Sequence, residues 1–356
     1  MTSRESLVKE LEKCNACSSC SCSCPSYKEL LAEEYSPRGR MQLYLRHIGS
    51  GNPKGFEKLY GVYSKCLLCL SCKRECPKGV DTEAVLTHAR AELSEKGVPP
   101  LVKKLLVAGW TSFLPGLFSL PRPGGDAATG VAEFLLYPGC TASRFFPETL
   151  RSTAGLLKAL SLSYIGSKSI CCGLPALYAG NTALAKELIK KNSEALNGAR
   201  ARRILTLCPS CRHMLMSRYS LNKPVVDVLE FLREYAGPLS PGKPGPEAIT
   251  FHYPCHALNY RDFDARTAAD EFLGNVRESG YRPLVKNTCC GFGGFFCAEN
   301  YRLSKNILAR RSGEISKTGA DKVLTSCPGC ALQLKRAFGS HKVMHIMDFA
   351  YKNIVK

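Results

Sequence analysis

FLLYPGCTA at 134–142, ICCGLPA at 170–176 and RILTLCPSC at 203–211 are answered, in the same order, by ITFHYPCHA at 249–257, TCCGFGG at 288–294 and KVLTSCPGC at 322–330. Cys140, Cys171 and Cys208 thus find partners in Cys255, Cys289 and Cys327, and Ala179, Asn181 and Lys186 find theirs in Ala298, Asn300 and Lys305. A duplication of this kind means two homologous domains. The Pro- and Gly-rich stretch GPLSPGKPGPE reads as the linker between them, with domains expected at 131–236 and 248–356 around a linker at 237–247.

Within each copy, strand and helix alternate. EFLLYPGC and AITFHYPC read as strands that end at a cysteine; RILTL and KVLTS read as short strands running into C-P-x-C and then a helix. NTALAKELIKKNSEAL and NYRLSKNILARRSGEI have helical periodicity. The pattern predicts two duplicated α/β domains with small parallel sheets and with cysteines at the carboxyl ends of strands. Pro209 and Pro328 suit a first helical turn, so Cys208 and Cys327 are expected at the positive end of a helix, where a thiol pKa falls. Gly173 and Gly291 allow the tight backbone that aims two adjacent thiols at one assembly.

Each copy carries five cysteines: Cys140, Cys171, Cys172, Cys208 and Cys211 in the first, Cys255, Cys289, Cys290, Cys327 and Cys330 in the second. A cubane iron-sulfur cluster or a zinc ion takes four protein thiolates. Five are accommodated if one bridges two irons, if the cluster is not a simple cube, or if one stays a redox-active thiol beside it. A thioredoxin-like dithiol would account for C-P-x-C alone and leaves the other three cysteines of each copy unexplained.

Ahead of the duplication stand two C-x2-C-x2-C-x3-C-P runs: Cys14, Cys17, Cys20, Cys24 with Pro25, and Cys66, Cys69, Cys72, Cys76 with Pro77. In this two-cluster signature the fourth cysteine of each run ligates the other cluster. One cubane is therefore expected on Cys14, Cys17, Cys20 and Cys76, the other on Cys66, Cys69, Cys72 and Cys24. The repeated Cys-Pro argues against zinc knuckles, and Cys22 is an extra thiol inside the first run. KELLAEEY and RMQLYLRHI between the runs are helical in pattern, so residues 1–100 are expected to form an α-helical ferredoxin-type module, followed by a connecting segment at 101–130. Leu101 to Leu120 carries Lys103 and Lys104 and is broken by Pro115, which is too interrupted for a membrane span. Its Trp110, Phe113 and Phe118 read as packing on the protein's own core in preference to a face for a membrane subunit.

With 356 residues, 45% of them hydrophobic, the chain can bury a substantial core. Twenty cysteines, adjacent pairs among them, with no secretory leader pattern, point to thiolates held by metal in a reducing compartment. The expected location is cytoplasmic, peripheral on the inner face of the cell membrane through a partner subunit. A formal charge of +19 raises nucleic acid as a partner, but no aromatic and basic recognition motif accompanies the cysteines, and a zinc-rich nucleic-acid binder is set aside. Metal clusters with four thiolates are anionic and offset part of that charge.

These motifs resemble the cysteine-rich CCG domains of the heterodisulfide reductase catalytic subunit, and the whole arrangement looks like its fused form. It is similar also to the iron-sulfur subunits of glycolate oxidase, lactate-utilisation enzymes and anaerobic glycerol-3-phosphate dehydrogenase. SPRGR at 36–40 and CCGFGG at 289–294 look especially like the glycolate and lactate branch, whose members often lack part of one five-cysteine motif; this chain lacks none. The resemblance implies a noncubane 4Fe-4S cluster on each complete motif, one or two in all beside two cubane 4Fe-4S clusters. It implies an oxidoreductase subunit, active in a complex, that moves electrons between a partner dehydrogenase or membrane subunit and the CCG cysteines, with disulfide/thiol chemistry there. The alternative is the iron-sulfur subunit of a flavin-dependent glycolate, lactate or glycerol-3-phosphate dehydrogenase complex with no disulfide substrate.

No flavin or NAD fingerprint is present, since CCGFGGFF lacks the strand-Gly-x-Gly-x-x-Gly-helix context, so hydride chemistry falls to a flavoprotein partner. Cleaving a disulfide consumes protons, and His252 and His256, flanking Cys255, are the candidate donors, with His213 behind Cys211. Histidines packed or hydrogen-bonded near a strand end or helix start are the favoured reading over proton donation. Arg144 and Arg212 are weaker candidates for holding an anionic substrate, and Cys297, without a counterpart in the first copy, reads as a free thiol.

Overall fold

Phe134, Leu135, Leu136 and Tyr137, and likewise Ile204, Leu205 and Thr206, are buried on both sides of the chain, as strands of a parallel sheet covered by helices must be. The structure, a computed structural model, describes residues 4–50, 56–97, 107, 109, 130–167, 171–236, 247–260, 262–276 and 280–355. The expected linker, apart from Glu247, and nearly all of the connecting segment lie outside these residues. The described residues divide into two compact units. A helical unit draws on Met1–Trp110, Pro175–Ala185 and Thr288–Arg311, and an α/β unit on Thr111–Leu174, Lys186–Asn287 and Ser312–Lys356.

In the helical unit, helices Arg4–Glu12, Pro37–Ser50, Phe56–Tyr63 and Thr82–Glu95 close over Leu7, Leu11, Met41, Tyr44, Tyr63, Val85, Leu86 and Leu93. Asp81 caps the last of these helices, its carboxylate accepting the Ala84 N–H at 3.1 Å. The segments that follow each Cys-Cys-Gly pack here. Arg90 donates to the Tyr178 carbonyl at 2.6 Å, the Tyr178 hydroxyl donates to Glu83 at 2.9 Å, and Asn300 Nδ2 donates to the Ser64 carbonyl at 3.0 Å.

The α/β unit holds two parallel sheets. The first contains β1 (Ala132–Tyr137), β2 (Tyr164–Gly166), β3 (Ala201–Thr206) and β4 (Val225–Asp227) in the order β2-β1-β3-β4. The second contains β5 (Ile249–Phe251), β6 (Lys322–Thr325) and β7 (Val343–His345) in the order β5-β6-β7. A single parallel bridge, Ile249 to Tyr281, stands where the first sheet pairs Phe134 with Tyr164. The α-helical region followed by two α/β repeats with small parallel sheets is the architecture expected from the sequence.

The two repeats clasp each other reciprocally. Helix Pro147–Ala159 of the first packs on Ile346–Ile354 of the second, while Ala265–Val276 of the second packs on 228–236 of the first. Likewise Pro328–Phe338 meets Gly139–Phe145, and Pro209–Arg218 meets the turn Ala257–Asn259. This exchange brings the C-P-x-C helix starts together.

Candidate metal centre

In the helical unit, Cys24, Cys66, Cys69 and Cys72 line one cavity together with Ser26, Arg40 and Thr82. The chain reaches this arrangement through strained loops. Ala16 and Ser18 in the first cysteine run, and Leu68 and Leu70 at the same positions of the second, all lie in the left-handed region, at φ 57°, 68°, 51° and 62°. Such conformations cost about 1–2 kcal/mol each for residues other than glycine and persist where the surroundings enforce them. The turn they make sends the Leu68 N–H to Cys66 Sγ at 3.4 Å, and Val80 N–H meets Cys76 Sγ at 3.4 Å. Backbone donors aimed at sulfur suit a thiolate that must carry charge.

Burial and mutual repulsion dominate the electrostatics of Cys66, Cys69 and Cys72. Burial pushes Cys72 well above its ordinary pKa, with Cys66 and Cys69 adding to the rise. Cys69 is pushed well above, first by contact with the Cys289 thiol and then by burial. Burial raises Cys66 while the Arg40 and Arg90 guanidiniums pull it back. Of the other expected set, Cys20 is raised by burial, with Cys14 and Cys76 near enough to contribute, and exposed Cys17 is lowered by hydrogen bonds from Ser19. Mutually raised thiols are a donor set that releases protons when a metal enters.

In the α/β unit, the first five-cysteine set gathers around the ends of β1 and β3. Cys171, Cys172, Cys208 and Cys211 are buried and Cys140 is half-buried. Gly139, at φ 75°, lets the backbone pass so close that a Cβ there would stand 2.7 Å from Cys211 Sγ. Gly173 and Gly291 both take φ 86°, the matched tight turn expected after each cysteine pair. Asn192 Nδ2 donates to the Cys171 carbonyl at 2.9 Å and the Tyr219 hydroxyl to the Cys172 carbonyl at 2.8 Å, fixing the pair from behind. No sequence signal marked Asn192 or Tyr219, because each acts through a partner distant in the chain.

The thiols of this set are strongly coupled. Cys172 is lowered to about 6 by donation from Cys171 and Cys211, against burial. Cys211 is correspondingly raised well above its ordinary value by Cys172, Cys208 and burial. Cys171 is pulled down most by Cys140, but Cys172 and burial together leave it well above. Cys208 caps helix Pro209–Arg218 with Pro at its first turn, as expected, yet its pKa is pushed up to about 12. Cys211 lowers it, and contact with the Cys327 thiol plus burial overcome both that and the helix end. The lowering expected for Cys208 from its place at the helix start is therefore outweighed by the Cys327 thiol and burial.

That contact joins the two repeats: the N-cap cysteine of each C-P-x-C helix faces its counterpart. Cys327 is itself positioned as an N-cap, its sulfur accepting the Cys330 N–H at 3.5 Å. Cys255, Cys327 and Cys330 of the second set belong to the α/β unit, and Cys289 and Cys290 to the helical unit, where the Gly291 N–H reaches Cys289 Sγ at 3.4 Å. The thiols outside the sets satisfy themselves locally, Cys22 donating to the Ser19 carbonyl at 3.1 Å and Cys297 to the Gly294 carbonyl at 3.2 Å.

His252 and His256 are both buried. His256 Nδ1 lies 2.7 Å from Ser210 Oγ, and its ring stacks on that of His213 at 5.2 Å. Arg212 is engaged elsewhere, forked onto Asp262 at 2.7 and 3.1 Å with its guanidinium over the Tyr260 ring. A group so held is not available to an anionic substrate. Arg144 stands half-exposed in helix Gly139–Phe145.

Residues 134–216 and 249–335 match the cysteine-rich domain family termed CCG, and residues 10–80 match the 4Fe-4S dicluster domain. The chain is similar to one of the subunits of the fumarate reductase (CoM/CoB) of Methanothermobacter marburgensis, 26% identical over 97% of this chain and 73% of that protein. It is 23% identical to one of the subunits of the dihydromethanophenazine:CoB–CoM heterodisulfide reductase of Methanosarcina barkeri, over 92% and 89% of the two chains. The probable glycolate oxidase iron-sulfur subunit of Bacillus subtilis is 22% identical over 95% and 93%. A hypothetical protein from Helicobacter pylori shares the fold, with a TM-score of 0.64 at 10% identity, over 90% of this chain and 68% of that one.

Proposed function

The chain belongs to the CCG-domain iron-sulfur oxidoreductases, and from that premise we propose that it is an electron-transfer subunit that ends its path in thiol/disulfide chemistry at the ten CCG cysteines. Cys14, Cys17, Cys20 and Cys76 would hold one cubane, and Cys66, Cys69, Cys72 and Cys24 the other. The two five-cysteine sets would hold the noncubane clusters. Bound there, such clusters would supply one-electron transfers next to the cysteine sulfurs.

What the chain itself contributes follows from its geometry. The observation that carries the reading is that both five-thiol sets are complete and that Cys208 and Cys327, one from each, are in contact. Two sets whose C-P-x-C helix starts meet through Cys208 and Cys327 suit a substrate that takes two electrons singly. A disulfide that accepts two electrons and two protons leaves as two thiols, the electrons coming from a flavoprotein or membrane partner. His256, oriented by Ser210 and stacked on His213, and His252 are the groups of this chain proposed to hand on the protons. Cys171 and Cys172 are buried, and Asn192 and Tyr219 hold their carbonyls, which fixes where this pair presents its sulfurs.

Among the described residues no helix is long and apolar enough to cross a membrane. Delivery to a membrane is proposed to pass through a partner subunit on its inner face. The second reading, a subunit of a flavin-dependent glycolate or lactate dehydrogenase complex, is favoured by SPRGR, CCGFGG and the likeness to the Bacillus subtilis protein. Anaerobic purification with its partner chains and metal analysis tests the shared premise: about four irons per site are expected, and zinc in their place would overturn it. Thiols of graded size are then added to the oxidised protein. A new paramagnetic signal supports disulfide chemistry, and its absence with full iron leaves the dehydrogenase reading.

A further inference from the structure

The SPRGR turn does more than mark a branch. Arg40, 1% exposed, has Nη1 at 3.9 Å from Cys24 Sγ, donates from Nη2 to Ser26 Oγ at 3.1 Å and from Nε to the Val62 carbonyl at 3.3 Å. It lines the cavity formed by Cys24, Cys66, Cys69 and Cys72. Behind the same cavity, Arg90 spends its donors on the carbonyls of Tyr63, Cys66 and Tyr178. Arg40 has no carboxylate within ion-pair reach among the described residues, whereas Arg90 also feels the Glu299 carboxylate, so Arg40 is the full positive charge left to face these four sulfurs. The set Cys14, Cys17, Cys20 and Cys76 is served differently. Arg38, which donates to the Ala16 carbonyl at 3.1 Å and to Ser18, is neutralised by Glu33 at 2.6 Å.

We propose that Arg40, seconded by Arg90, is a positioning residue that raises the reduction potential of whatever cluster Cys24, Cys66, Cys69 and Cys72 hold above that of its neighbour. The inference rests on the ligand sets of the previous section. Its physics is elementary: adding an electron to an anionic group is favoured by an uncompensated cation close by in a buried site, and hydrogen bonds to its sulfurs act in the same sense. The consequence is directional. Cys69 touches Cys289 within the helical unit, so the site that gathers electrons most readily is the one in contact with a CCG cysteine.

The test is an anaerobic redox titration of the full chain, followed by electron paramagnetic resonance, with iron content measured first. Wild type is expected to show two cubane signals. In Arg40→Gln at full iron, the signal of higher potential is expected to fall so that its reduced-to-oxidised ratio drops about tenfold at a fixed potential, about 59 mV for one electron, while the other stays. Arg40→Lys should restore most of the difference, and Arg38→Gln should leave the higher signal where it is. Unchanged potentials in Arg40→Gln, or equal shifts of both signals, overturn the inference. If Arg40→Gln does not retain iron, Arg40→Lys and Arg90→Gln decide: a lowered higher-potential signal in Arg90→Gln upholds it, and wild-type potentials in both sink it. Fewer than two cubane signals in wild type would instead defeat the ligand assignment itself.

Discussion

Gly139 shows how little slack a single position leaves. Its φ of 75° and the 2.7 Å between a hypothetical Cβ and Cys211 Sγ oppose any side chain twice over. Gly139→Ala is expected to destabilise the metal-free chain by about 1–2 kcal/mol from the left-handed backbone alone, and to lower iron content selectively at the first five-cysteine set, as urea titration and metal analysis will show. The coupled thiols give a pH prediction for the reduced, metal-free chain. Cys172, lowered to about 6 from 9.0, contributes stability that is present above pH 9 and lost as pH falls through 6. Cys208, raised to about 12, contributes stability that is present below pH 9 and lost as pH rises toward 12. Urea midpoints are therefore expected to peak near pH 9, where both contributions are present, and to drop on both sides. Each tenfold change in acid strength is worth at most about 1.4 kcal/mol. A midpoint that stays flat across this whole range would contradict the expectation.

At the scale of the element, the recurring unit is a short parallel strand that runs into a cysteine capping a helix with proline in its first turn. β3 with Pro209–Arg218 and β6 with Pro328–Phe338 are two copies of it. These were legible in the sequence because alternation, a capping position and proline at the first turn are all local. The contacts between copies were not. Asp227 caps helix Val228–Phe231 through the Leu229 N–H and accepts the Tyr260 hydroxyl at 3.1 Å, from the other repeat. Its counterpart His345 caps Ile346–Ile354 and reaches the Leu207 carbonyl at 3.2 Å. The clasp of Pro147–Ala159 on Ile346–Ile354 is pinned by Thr149, buried, donating to Asp348 at 2.8 Å. Thr149→Val is expected to cost about 1–2 kcal/mol, the penalty of an unmet buried acceptor, with iron content unchanged; loss of iron without loss of stability would show that the clasp is not what the hydrogen bond serves.

For the molecule as a whole, charge is unevenly spread. Residues 1–100 carry fifteen Lys and Arg against twelve Asp and Glu, whereas 131–236 carry fourteen against seven and 248–356 sixteen against nine. The excess lies in the two repeats, where thiols would lose their protons on binding metal. Loading the two cubanes alone, each about −2, would take the chain from +19 to roughly +15, and filled five-cysteine sets would lower it further. Isoelectric focusing under anaerobic conditions should show the iron-loaded protein clearly less basic than the metal-free one, and identical mobility would argue against four filled sites.

Duplication, the helical module, the parallel sheets and the arrangement of eighteen cysteines in two runs of four and two motifs of five were legible along the chain, since spacing, periodicity and capping act over a few residues. Tertiary structure alone decided which surfaces meet. The face-to-face contact of Cys208 with Cys327, the touch of Cys69 on Cys289, and the two guanidiniums behind Cys24 and Cys66 depend on how buried faces of distant segments pack. No local propensity encodes that choice. It is made by the burial of side chains such as Arg40 and Thr149, whose partners lie from 14 to 199 residues away.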